Sequence, residues 1–62
     1  MPRLENWTMV GGRLFGEVYD DERFPDGTNI VTSTVQKISE REGYAQTLNA
    51  RYELGKKNDI GQ

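Results

Sequence analysis

One stretch decides the fold class. In Ile30-Val31-Thr32-Ser33-Thr34-Val35-Gln36-Lys37-Ile38-Ser39, six of ten residues are β-branched. Two heavy atoms on Cβ restrict χ1 and suit a pleated, half-buried strand better than a helix. The alternation shifts once: Ile30 and Ile38 share one parity, Val31 and Val35 the other. Either both faces are partly covered or a bulge changes parity midway. Two shorter β runs precede it. Residues 4–10 carry β-formers, including Trp7, and end in a Gly11-Gly12 turn. Residues 13–19 place Leu14 and Val18 on one side and Phe15 and Tyr19 on the other. Gly16 inside that run signals a bulge or a close backbone approach. Residues 20–29 form an acidic loop with a Pro25-Asp26-Gly27 turn. Phe24, an apolar ring in that polar loop, is expected to plug the core.

The last third supports two readings. Ser39-Glu40-Arg41-Glu42 matches a capping box, and Tyr44, Leu48 and Tyr52 recur at helical spacing. The same residues fit strand alternation, or two short strands around a Leu48-Asn49-Ala50 turn after a Glu42-Gly43 hairpin turn. Gly43 near a helix start would cost ~1 kcal/mol against alanine. The expected fold is therefore all-β: four or five short antiparallel strands in a small SH3-like or OB-like barrel or meander. The alternative is a three-stranded sheet plus a C-terminal helix over 40–54. One domain covers residues 1–55, and 56–62 read as a polar, frayed tail.

A chain of 62 residues lacks the usual staples of small domains. Apolar burial of about 90 kcal/mol is matched by an ordering cost of ~1.5 kcal/mol per residue. With no cysteine there is no disulfide or thiolate metal site. With no histidine the commonest general base and transition-metal ligand are missing. Oligomerisation is the staple left, so a homo-oligomer is expected. A net charge of −2 is the wrong sign for a nonspecific nucleic-acid binder. Apolar runs are far short of the ~20 residues of a membrane span, and the first residues lack a signal-peptide core. These features predict a cytoplasmic protein with no membrane partner.

The chemistry-bearing residues point to binding rather than catalysis. Asp20, Asp21, Glu22 and Asp26 cluster, but Phe24 and Pro25 stand where an EF-hand order needs oxygen donors. The cluster reads as a solvated loop, and no metal or cofactor is expected. Nucleophilic catalysis needs a base beside the nucleophile. The lysines lie in polar surroundings, so no enzyme activity is expected. Trp7, Arg13, Arg23, Phe24, Tyr44, Arg51 and Tyr52 offer rings and guanidinium forks that can hold a nucleobase and a phosphate, or a protein partner. The same aromatics also suit a core.

Four segments carry a resemblance: Arg13-Leu14-Phe15-Gly16-Glu17-Val18, Arg23-Phe24-Pro25-Asp26-Gly27-Thr28, Ile30-Val31-Thr32-Ser33 and Tyr52-Glu53-Leu54-Gly55. Their order resembles small open reading frames of phages and bacteria with the pattern R-L-x-G-x-V, R-F-x-D-G-T, I-x-T-S and Y-x-L-G. It spans roughly residues 4–55 and brings no assigned activity. It implies a compact β domain of phage type and favours two short strands over 44–54. The resulting expectation is a small non-enzymatic binding protein: a phage-encoded counter-defence inhibitor that sequesters a host defence protein or a nucleotide signal. The alternatives are a barrel binding single-stranded nucleic acid and a structural assembly subunit.

Overall fold

The computed structural model describes residues 1–58. Five strands follow in order: β1 (Arg3–Val10), β2 (Arg13–Tyr19), β3 (Thr28–Ser39), β4 (Tyr44–Thr47) and β5 (Arg51–Leu54). Each pairs antiparallel with the next, and the ring closes between β1 and β5. The small barrel expected from the sequence is thus a five-stranded meander closed on itself. Strand direction alternates along a meander, so with an odd number of strands the first and last run the same way. The closing pair is accordingly parallel, with Arg3 opposite Glu53 and Leu4 opposite Leu54.

A bulge in β1 builds the core. Glu5 pairs with Glu17 and Thr8 with Phe15, so Asn6 and Trp7 together face Gly16. Asn6 takes the left-handed conformation, φ 55°, which short polar side chains tolerate best after glycine. The extra residue shifts the alternation, and Leu4 and Trp7 both turn inward. A Cβ on Gly16 would lie 3.1 Å from the Trp7 Cβ and 3.2 Å from the Glu5 carbonyl oxygen. Both sequence readings of Gly16 therefore meet here: the bulge sits on the neighbouring strand, and the glycine allows the close approach.

The parity shift in β3 has the same cause, applied twice. One extra β3 residue lies between the pairs Arg13–Thr34 and Phe15–Val31. A second lies between Val35–Thr47 and Lys37–Gln46. Ile30, Val35 and Ile38 all pack on the core despite their mixed parity, and Val31 points out. The buried apolar residues are Leu4, Trp7, Leu14, Val18, Ala45 and Tyr52, and Phe24 packs against them from the loop as expected.

Residues 40–54 form no helix. The Ser39 Oγ accepts the Glu42 amide at 3.1 Å, and the Ser39 carbonyl accepts the Gly43 amide at 2.8 Å. The capping-box residues thus close a hairpin turn, and Gly43 at φ 81° leaves the right-handed helical region. The second turn is organised by Thr47. Its buried Oγ accepts the Ala50 amide at 3.0 Å, and its own amide donates to the Ala50 carbonyl at 2.8 Å. Because the chain reverses there, Ala45 and Thr47 on β4 and Tyr52 on β5 are the buried residues, rather than one even-numbered face running from Tyr44 to Leu54.

The segment after β5 stays attached to β1. The Trp7 amide donates to the Lys56 carbonyl at 3.2 Å, and the Asn58 amide donates to the Trp7 carbonyl at 2.7 Å. Of the 56–62 segment read as a polar, frayed tail, residues 56–58 extend the parallel seam and residues 59–62 lie outside the described residues. Among the described residues no helix is long and apolar enough to cross a membrane.

The Gly16 contact yields a direct test. Gly16→Ala pushes a methyl against the β1 backbone and should destabilise by about 1–3 kcal/mol. A lower urea midpoint with an unchanged slope is the expected signature.

Candidate binding site

Outward residues of β3, β4 and β5 form one row, because Lys37 pairs with Gln46 and Gln46 with Arg51. Tyr44 stands two residues before Gln46 on β4, diagonal to both cations. The Arg51 guanidinium lies 4.1 Å from the centre of the Tyr44 ring. The Lys37 ammonium lies 6.0 Å from it. Such contacts contribute about 0.5–1 kcal/mol at exposed sites and hold the guanidinium plane in place. Gln46 donates its Nε2 to the Thr47 carbonyl at 3.1 Å, which fixes its amide. Lys37 and Arg51 are exposed and form no ion pair among the described residues. Glu53 is the acidic neighbour of Tyr44 across β5, and it too is unpaired. The face thus presents two cations and one carboxylate around an ordered ring, none of the three in a direct ion pair among the described residues. It can bind an anion by bidentate and point-charge contacts.

The seven residues singled out in the sequence separate into distinct places. Tyr44 and Arg51 come together on this face. Trp7 and Tyr52 are buried, and Phe24 is half-buried against them. The Trp7 indole donates to the Gly55 carbonyl at 3.1 Å, and the Lys57 ammonium lies 5.5 Å from its ring centre. Arg23 is held by Asp21 through Nε at 3.0 Å and Nη2 at 2.7 Å, and its Nη2 also donates to the Tyr52 hydroxyl at 3.2 Å. Arg13 is exposed on β2, with Val10 and Thr34 as its cross-strand neighbours. Lys37 is not among the seven; the sequence offers it only as a base, set aside for its polar surroundings. Its one signal in the sequence is polarity in a β-branched strand, which any solvated strand face shares.

Two carboxylates of the acidic loop, Asp26 and Asp21, are used within the loop. Asp26 accepts the Asp20 amide at 3.0 Å, and Asp21 accepts the Arg23 amide at 2.9 Å. Among the described residues no three His, Cys, Asp or Glu side chains gather to hold a metal. Met1, Pro2 and residues 20–23 line an open depression of about 360 Å³.

Two carboxylates are tuned by these contacts. Hydrogen bonds from the Arg23 side chain, then from its amide, pull Asp21 from 3.8 down to about 2. The Asp21 side chain is only 5% exposed, against 54% for Arg23. Glu5 is lowered chiefly by the Lys56 amide, which it accepts at 2.7 Å, and further by Arg3 at 2.8 Å. Arg23 is raised in turn, first by Asp21.

Compared with family models, curated proteins and solved structures, the chain matches none. The reading of its function rests on the geometry above.

The Asp21 clamp carries a pH signature. A carboxylate with a depressed folded pKa stabilises above its ordinary value of 3.8, and that contribution fades as pH falls through about 2. Asp21→Asn keeps the shape and removes the charge. It should lower the urea midpoint at neutral pH, and its deficit against the parent protein should shrink as pH drops from 5 to 2.

Proposed function

We propose that the protein is a non-enzymatic binding barrel that holds a nucleotide-like anion on the outer face of β3, β4 and β5. The observation that carries this reading is the Tyr44 ring flanked by Arg51 and Lys37, with no ion pair on either cation among the described residues. Arg51 offers a flat guanidinium already stacked on one side. Its free side can stack a base, and its edge can take a phosphate. Lys37, two strands away in the same row, supplies a second charge for that phosphate.

A second Arg–Tyr stack exists, Arg3 over Tyr19 at 4.9 Å. There the cation is neutralised by Glu5 at 2.8 Å and Asp20 at 3.4 Å. That difference supports the Tyr44 face as the anion site. A site for a nucleic-acid strand uses several rings on which successive bases stack. One stack whose cation is free of a direct ion pair among the described residues favours a single nucleotide over a strand. In the phage setting that the resemblance implies, the protein would act in the host cytoplasm by sequestering a nucleotide signal without turning it over.

The test is an amide-shift titration of the full chain at low salt with ATP, pyrophosphate and an eight-residue oligothymidylate. ATP and pyrophosphate should move the Gln46 and Arg51 amides, and added salt should weaken both. Arg51→Ala should weaken ATP at least tenfold, the scale of one charged hydrogen bond. Silence from all three probes overturns the proposal. An oligothymidylate that binds far tighter than ATP moves the reading to single strands.

A further inference from the structure

The outward side chains of β2 are Arg13, Phe15, Glu17 and Tyr19. Thr8 on β1 and Val31 on β3 stand directly beside Phe15, so the three form a row across the outside of the barrel. Val10 stands beside Arg13. Val10 is 59% exposed, Val31 51% and Phe15 39%. Large apolar residues on one sheet face, rather than scattered singly, mark an interaction surface. The charges on this face say what kind of partner fits. Arg13 and Glu17 lie two residues to either side of Phe15, with opposite signs. Neither forms an ion pair among the described residues. The Glu17 carboxylate accepts the Tyr19 hydroxyl at 3.5 Å.

We infer that this face is the contact of a symmetric dimer whose two-fold axis runs along the row Thr8, Phe15, Val31. That axis reverses strand direction across the interface and sets each strand on its own copy. Phe15 then meets the partner's Phe15, and Val31 the partner's Val31. Arg13 faces the partner's Glu17, and by symmetry Glu17 faces the partner's Arg13. The other axis in the plane, along the strands, would set Arg13 on Arg13 and Glu17 on Glu17. Only the first arrangement pairs both unused charges. The size also fits. An ordinary stable interface takes about 800 Å² per partner, which is about a fifth of the 4205 Å² surface of this molecule. One side of a body 31 × 23 × 21 Å supplies that area. The anion face shares only β3 with this contact, and Lys37 lies six residues beyond Val31 on that strand, so this inference is independent of the proposed ligand.

Sedimentation equilibrium of the full chain tests it with charge reversals. The parent protein should be a dimer. Arg13→Glu alone sets two acidic residues together at both contacts, and Glu17→Arg alone sets two arginines together. Each should raise the dimer dissociation constant about tenfold or more. Mixing the two variants should restore the dimer, because the mixed pair regains both opposite-charge contacts. The mixture also shows that both variants are folded. A monomeric parent protein overturns the inference, as does a dimer that ignores both reversals.

Discussion

The barrel depends on the meeting of Trp7 with Gly16. The bulge at Asn6 and Trp7 gives β1 its inward ring, and Gly16 lets that ring's backbone come close. The same residue then binds the far end of the chain. Its amide and carbonyl pair with Lys56 and Asn58, and its indole donates to the Gly55 carbonyl. Glu5, one turn of the pleat away, accepts the Lys56 amide and holds its carboxylate over Gly55. One irregularity in β1 therefore supplies core filling, strand bending and ring closure together. A regular strand would leave Leu4 and Trp7 on opposite faces and could fill the centre with only one of them.

Much of this was legible in the residues. The β-branched run became the longest strand, and the Gly11-Gly12 and Pro25-Asp26-Gly27 segments lie in the connections between strands. Leu14 and Val18 point in and Phe15 points out, as a period of two requires. What alternation cannot supply is the position of a bulge. Each extra residue inverts parity, and β3 carries two of them, so Val35 and Ile38 both reach the core. The ambiguity over 40–54 had a local cause. Ser39 and Glu42 suit a helix start and a tight turn equally, because both need a hydroxyl that accepts an amide three residues on. Gly43 and the pairing with β3 select the turn.

The candidate site was half legible for a related reason. Aromatic and arginine residues are the material of cores, interfaces and ligand sites alike, and only closure of the ring sorts them. Trp7 and Tyr52 were drawn inside; Arg23 was consumed by Asp21 and Tyr52. Tyr44 and Arg51 stayed out because they belong to the outward parity of two very short strands. Lys37 joins them through cross-strand register, which composition does not reveal.

The odd number of strands has a consequence for how the chain comes together. Four pairings join neighbours in sequence and need only short loops. The fifth joins Arg3 to Glu53, fifty residues apart. Its loop-closure entropy is the largest in the molecule, and it returns a short parallel ladder. Local hairpins can form on their own, but the seam cannot precede them. The seam offsets that cost beyond its short ladder, through the Trp7 indole bond to the Gly55 carbonyl and the Glu5 carboxylate bond from the Lys56 amide. A barrel built this way closes like a zip, with residues 55–58 as its last teeth.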